Sequence, residues 1–282
     1  MSNKTSQKEK AELFHQLHHS GEMLVFPNIW DSLGAALMQD LGYQAIATAS
    51  AAIAYSNGYD DGENIPFADL LPLLKRITGA VNIPVTADIE TGYANNTDEL
   101  KKNIELLLET GIVGINFEDS DKTTNKLFPI EYQCEKIRSI KAAGAAQHIP
   151  IFINARTDVY VKGNDFWDEA AKLDETIKRG KAYLEAGADC IFPILVDRRS
   201  SIQTLISTLN CPINIIALGA VPPLKVLSEM GIARVSVGPG FLKATVRTMK
   251  DLAGKLKNYE GLEDITGNEI TSTYLKELVK RT

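Results

Sequence analysis

The feature that most constrains this chain is a rhythm in which short, β-branched apolar runs alternate with longer stretches of helical spacing. The short runs cover 23–26, 45–49, 83–87, 113–117, 151–154, 190–193, 213–217 and 234–237. Helical spacing covers 31–41, 67–78, 97–109, 129–146, 165–186, 200–208, 222–229 and 241–257, with Thr97 as the expected cap of the third. A helix over 10–20, stopped by Gly21, precedes the first strand, and the stretch from the second strand to Glu63 reads as a Gly-rich loop. Runs without polar alternation suit parallel strands buried on both faces. Several helices end in Gly just before the next strand, at Gly42, Gly111, Gly187 and Gly231, the usual left-handed stop.

Eight strand–helix units in about 250 residues predict an α/β fold of the (β/α)8 barrel type. A doubly wound sheet would place a Gly-rich phosphate loop after the first strand, and Phe26-Pro27-Asn28-Ile29-Trp30 is no such loop. One barrel domain is expected over 1–282, with 259–282 as an extension that ends in a helix over 269–279.

Composition narrows the partners. A net charge of -6 argues against nucleic acid, whose phosphates call for clustered Lys and Arg. No apolar run approaches the ~20 residues of a membrane helix and the first ten residues are polar, so a cytoplasmic protein is expected. Cys134, Cys190 and Cys211 have neither disulfide nor zinc spacing. His15, His18 and His19 read as a polar helix face rather than a ligand cluster.

In a barrel of this kind chemistry sits at the C-terminal ends of the strands. The third strand ends in Asp88-Ile89-Glu90, two carboxylates flanking one apolar residue, so both leave an extended backbone on one face. Hard oxygens in that arrangement suit Mg2+ or Mn2+, which keep several waters and take few carboxylates directly. The other ends bring Ser50 and Asp61 after the second strand, Asn116 and Glu118 on the fourth, Arg156 and Asp158 on the fifth, and Leu218 after the seventh. No imidazole, thiol or strand-end lysine falls on this face, although Lys122 and Lys162 lie in nearby loops. Catalysis is then expected to rest on Lewis-acid and guanidinium stabilisation of a developing oxyanion, which fits a 2-oxo acid reacting through its enolate.

With these residues in place the chain resembles the isocitrate lyase and phosphoenolpyruvate mutase superfamily from Phe26 to about Lys257. The resemblance is carried by Ser50 with Gly58-Tyr59-Asp60-Asp61-Gly62, by Ala87-Asp88-Ile89-Glu90-Thr91-Gly92-Tyr93, by Glu118-Asp119, by Ala155-Arg156-Thr157-Asp158 and by Tyr183-Leu184-Glu185-Ala186-Gly187-Ala188-Asp189. It implies a Mg2+-dependent enzyme holding a pyruvate-like enolate, in a homodimer or homotetramer that exchanges the last barrel helix between subunits. It implies Asp88 as direct metal ligand, with Glu90 and Glu118 acting through bound waters. Ser50, the backbone at Ala51 and Ala52, and Arg156 would bind the carboxylate and oxo group, with Asp61 as the pocket carboxylate.

The departures bear on subtype. The loop after the fourth strand, Ser120-Asp121-Lys122-Thr123-Thr124-Asn125-Lys126-Leu127, lacks the cysteine of isocitrate-type lyases. Lys122 and Asn125 approach the Lys-x-Asn-Ser loop of phosphonomutases but stand one residue too far apart. Ile194 replaces the glutamate or histidine expected after Phe192-Pro193. Lys122 is carried as a catalytic candidate, and Asn125, Ile194 and Leu218 as substrate contacts. The expected function is C–C cleavage of a small 2-oxo acid by decarboxylation or a retro-aldol step. The alternatives are P–C chemistry on phosphonopyruvate and a barrel that binds a 2-oxo acid without turning it over.

Overall fold

The structure is a computed structural model that describes residues 5–163 and 167–280. Ten strands form: β1 (Leu24–Phe26), β2 (Ile46–Ala47), β3 (Val85–Asp88), β4 (Gly114–Glu118), β5 (Ser120–Asp121), β6 (Lys126–Leu127), β7 (Phe152–Thr157), β8 (Cys190–Pro193), β9 (Asn214–Ile216) and β10 (Arg234–Ser236). Setting aside the antiparallel β5–β6 hairpin, all pair in parallel, as β2-β3-β4-β7-β8 and β1-β10-β9. Two parallel bridges, Ile29–Thr48 and Ile191–Ile213, join the two sheets at both seams, so the eight strands close into a ring. The expected barrel is present.

The helices are α1 (Gln7–His18), α2 (Ser32–Asp40), α3 (Ser50–Ser56), α4 (Phe67–Gly79), α5 (Thr97–Leu108), α6 (Ile130–Ala146), α7 (Val159–Lys162), α8 (Glu169–Glu185), α9 (Arg199–Leu209), α10 (Leu224–Glu229), α11 (Gly240–Lys257), α12 (Leu262–Thr266) and α13 (Ser272–Lys280). Three expectations change. The stretch after the second strand opens with α3, because Ser50-Ala51-Ala52-Ile53-Ala54 has the propensity to turn helical before the Asn-Gly stop takes over. Asn96, not Thr97, caps α5, its side chain accepting the Glu99 amide. The helix predicted from Asp165 starts at Glu169 under an Asp168 cap, and Asp165 itself lies outside the described residues.

Strand residues alternate in role although nearly all are buried. Ile115, Ile153, Ile191, Ile215 and Val235 join the aliphatic layer under the helices. Their neighbours Asn116, Asn154, Asn214 and Arg234 fill the barrel interior, where Asn116 Oδ1 accepts from Asn154 Nδ2 at 2.7 Å and from Arg234 Nη2 at 3.0 Å. Because β4 and β10 are not neighbours in the ring, this second bond spans the interior.

α1 closes the N-terminal end. Its start is fixed by a capping box between Ser6 and Glu9, and it drives Phe14 and Leu17 against Phe26 and Phe152. The expectation of a polar His15–His19 face holds only in part: His18 is buried, its ring 4.1 Å from that of Phe152. It falls four residues after Phe14, on the same helix face. At the other end of the chain α13 returns to the barrel, where Leu278 is buried and Tyr274 donates to Asp40 at 2.9 Å. No helix among the described residues is long and apolar enough to cross a membrane.

Candidate active site

The C-terminal ends of the strands enclose a cleft of about 310 Å3. Ser50, Ala51, Asp61, Asp88, Arg156 and Ile194 all line it, so five separate segments meet as expected from the strand ends. Ala52 is buried just behind Ala51. Glu90 and Glu118 stand behind Asp88, buried. Asn125 and Leu218 are not among the lining residues; Asn125 bonds to Lys162 beside a separate depression, and Leu218 is exposed.

Asp88 ends β3 with its amide bonded to Thr48 Oγ1 and its carboxylate accepting from Ser50 Oγ at 2.9 Å. The chain then turns sharply. Glu90 and Tyr93 take φ of 52° and 53°, and Gly92 takes 101°. Left-handed non-glycine residues cost on the order of 1 kcal/mol or more each, so this turn must be held from outside. At Gly92 a Cβ would also run into Leu100.

Arg156 is held by two carboxylates. Its Nη1 lies 2.9 Å from Glu118 and its Nε 2.6 Å from Asp158. Asp158 is itself fixed, its amide donating to Asp119 Oδ1 at 2.9 Å and its carboxylate accepting from Ser120. Asp119 is fully buried and accepts from Tyr183 at 2.7 Å and from Arg179 at 3.1 Å. The guanidinium is therefore aimed by a chain of charged hydrogen bonds that runs back to α8. Burial opposes its charge, but Glu118 and Asp158 outweigh that and hold it protonated.

Lys122 does not line the cleft. The hairpin turn between β5 and β6 brings its ammonium to Glu90 at 2.9 Å and into contact with Glu118. Glu118 Oε1 meets it as an ion pair without a well-aligned hydrogen bond. Burial lifts the Glu90 carboxyl to about 7 against the pull of Lys122. It lifts Glu118 as well, against Arg156 and Lys122, and lifts Asp61 with help from the Asp88 charge. Of these four carboxyls, Glu90 and Glu118 contact Lys122 and Glu118 also contacts Arg156, while Asp61 and Asp88 have no ion-pair partner among the described residues; the crowding of carboxyls is the dominant electrostatic feature of the site. Among the described residues no three His, Cys, Asp or Glu side chains are gathered as a ready-made ligand cluster.

Residues from 14 to 257 match the model of the phosphoenolpyruvate phosphomutase family. The chain belongs to that family. A Mycobacterium tuberculosis H37Rv protein of uncharacterised function is 32% identical over 227 residues, 80% of this chain and 81% of its own length. The 2-methylisocitrate lyase of Bacillus subtilis strain 168 is 27% identical, covering 97% of this chain and 92% of its own. A solved phosphonopyruvate hydrolase, in complex with oxalate and Mg2+, superposes with a TM-score of 0.84 over 96% of this chain and 95% of its own at 21% identity, a likeness of fold. The family match and the lyase relative over nearly the whole chain are in line with the resemblance read from the sequence.

Four polar cleft residues escaped the sequence reading: Asn28, Tyr55, Ser236 and Lys243. Asn28 staples three strand ends, accepting from Val237 and Gly238 and donating to Thr48. Ser236 ends the eighth strand, a position that the face rule could have flagged. Lys243 enters from the first turn of α11 and has no ion-pair partner among the described residues.

Proposed function

We propose that this chain is a Mg2+- or Mn2+-dependent lyase that cleaves a carbon–carbon bond of a small 2-oxo acid through its enolate. One observation carries the reading: Asp88 and Arg156 line the same small cleft, among buried carboxylates whose charge the local cations do not balance. The donor set fits the ion. All candidate groups are hard oxygens, Asp88 is open to the cleft, and Glu90 and Glu118 stand one layer behind, where they can hold water rather than metal. When bound, a divalent cation supplies positive charge beside the oxo group.

The protein's own groups do the rest. Ser50 and Ala51 border Asp88 and can receive the substrate carboxylate. As the C3 bond breaks, its electron pair moves toward C2 and charge gathers on the C2 oxygen. Arg156, fixed in advance by Glu118 and Asp158, meets that charge without reorganising. Asp61 lines the cleft beside Asp88 and is placed to pass a proton to C3. Phe192 and Ile194 wall the cleft with apolar surface and exclude water. Lys243 is placed for a second anionic group on the substrate. Incubation with Mg2+ and oxaloacetate, 2-methylisocitrate or phosphonopyruvate, following pyruvate, tests the reading. Pyruvate from oxaloacetate is expected; pyruvate from 2-methylisocitrate alone, which has no oxo group and whose cleavage leaves the electron pair on the succinate half, would assign isocitrate-type cleavage, and pyruvate from phosphonopyruvate alone would assign P–C chemistry. Stabilisation by oxalate with no turnover of a 2-oxo-acid panel would make the barrel a binding protein.

We further propose that the active form is a homo-oligomer in which α11 crosses to a second copy. No residue of this 18-residue helix is buried, and Phe241, Val246, Met249 and Leu256 expose apolar surface. On the barrel, Leu33 of α2, Leu41 just past its end and Leu224 of α10 are exposed on the segments that flank the eighth helix's place. Light scattering of the purified protein is expected to give a dimer or tetramer, and a monomer at micromolar concentration would overturn this assignment.

A further inference from the structure

The left-handed turn after Asp88 has to be held, and the groups that hold it were not among the candidate site residues. One oxygen of Glu63 accepts three hydrogen bonds from it: Thr91 N at 2.8 Å, Thr91 Oγ1 at 2.7 Å and Tyr93 N at 3.0 Å. Glu63 also gives something back, since its own amide donates to Glu90 Oε1 at 2.8 Å. On the following peptide, Lys136 Nζ donates to Thr91 O at 2.9 Å. Lys136 is buried, with its ammonium 4.7 Å from the ring centre of Phe117 and 4.5 Å from that of Phe128. Thr91 is thus gripped at both its N–H and its C=O by charges of opposite sign.

We propose that Glu63 is the positioning residue of the metal bed, in a clamp with Lys136 that keeps Glu90 beside Asp88 and ties both to the Asp61 loop. The proposal rests on the metal-dependent reading for its consequence but not for its geometry. Asn103 holds the carbonyls of Gly92 and Tyr93 and the Glu118 amide holds that of Glu90, but without the clamp the Thr91 and Tyr93 amides lose their acceptor, and the positive φ of Glu90 and Tyr93 is held less firmly, which loosens the Glu90 carboxylate in the bed. Glu63 is itself at φ 62° and stands two residues after Asp61, so its three bonds set where that cleft carboxylate can lie as well.

The chemistry of the clamp makes it separable from a general effect on folding. Glu63→Ala removes the three acceptor bonds yet keeps the amide that donates to Glu90. Glu63→Gln keeps one carbonyl oxygen able to accept all three, without the charge. The experiment is Mn2+ binding, read by the loss of free-ion EPR signal, together with amide hydrogen exchange, on wild type and both variants. Glu63→Ala is expected to weaken Mn2+ about 10- to 100-fold, the usual cost of losing an outer-shell partner. It should also speed exchange at Thr91 and Tyr93 at least tenfold while β7 and β8 remain protected. Glu63→Gln is expected within about threefold of wild type on both readouts. Wild-type protection at Thr91 and Tyr93 in Glu63→Ala overturns the clamp, as does unchanged Mn2+ affinity with those amides released. A wild-type protein that takes up no Mn2+ refutes the metal reading instead, and the exchange result then decides the clamp alone.

Discussion

The two ends of the barrel bury polar groups to similar depth and treat them in opposite ways. At the N-terminal end His18 lies among Phe14, Phe26 and Phe152, and burial with the nearby Arg234 charge pushes its imidazole down to about 3. It is neutral at ordinary pH, and the end is closed by α1. At the C-terminal end Glu90 and Glu118 are buried just as deeply, yet they stay ionisable, crowd one another and have Lys122 and Arg156 as contact cations. The lesson is that burial by itself does not mark a site. Buried charge left short of partners does, because stability alone would have neutralised or removed it.

The contrast can be broken from either side. Phe14→Ala opens the plug and is expected to cost about 3–5 kcal/mol of stability. The activity per folded molecule should stay within twofold; a large loss of turnover in folded protein would mean that the ends are not separate. Asp88→Ala should do the reverse, lowering turnover about a hundred- to a thousandfold. Its melting temperature in chelator is expected to stay level or rise, since it removes one of several like charges, and a clear fall would contradict the strain argument.

A subtler test uses pH. In chelated protein, Glu90 binds its proton more tightly folded than unfolded, so the stability it contributes is full below about 4.5 and is lost as pH rises through about 7. His18 has the opposite sign: its contribution is full above 6.5 and is lost as pH falls toward about 3. Between these limits each slope is about 1.4 kcal/mol per pH unit, and the two oppose one another. Urea melts from pH 5 to 6.5 should therefore show stability falling with pH in His18→Phe and rising in Glu90→Gln, relative to wild type. Parallel profiles would refute the assignment of these two groups. The smallest effect is expected from Lys243→Gln, with KM raised about tenfold for a substrate carrying a second carboxylate, or ~1.4 kcal/mol, and kcat little changed.

Much of this was legible in the sequence because a barrel obeys a positional rule. Once the strands were located, Asp88, Glu118 and Arg156 fell on the same face by counting. The residues that escaped reach the site by other routes. Lys243 arrives from a helix; Lys122 was carried as a candidate, but its pairing with Glu90 comes only through the three-dimensional turn of the β5–β6 hairpin. Helix α3 was hidden because the Asn-Gly stop at 57–58 dominates the composition of that stretch. His18 was misread although its signal was present, in the stripe Ala11, Phe14, Leu17 and His18. The polarity of the barrel interior was partly visible in Asn116, Asn154 and Asn214, but that Arg234 meets Asn116 across the ring is a matter of closure rather than of sequence.

One of those interior side chains reaches both worlds. The Arg234 guanidinium lies 4.7 Å from the ring centre of Phe26, in the plug, and its Nη2 donates to Asn116, which borders the cleft. A single residue therefore spans the thickness of the barrel from stopper to floor. It acts as a strut: a shift of the α1 plug would be relayed along one stiff, planar group to the floor on which the substrate rests.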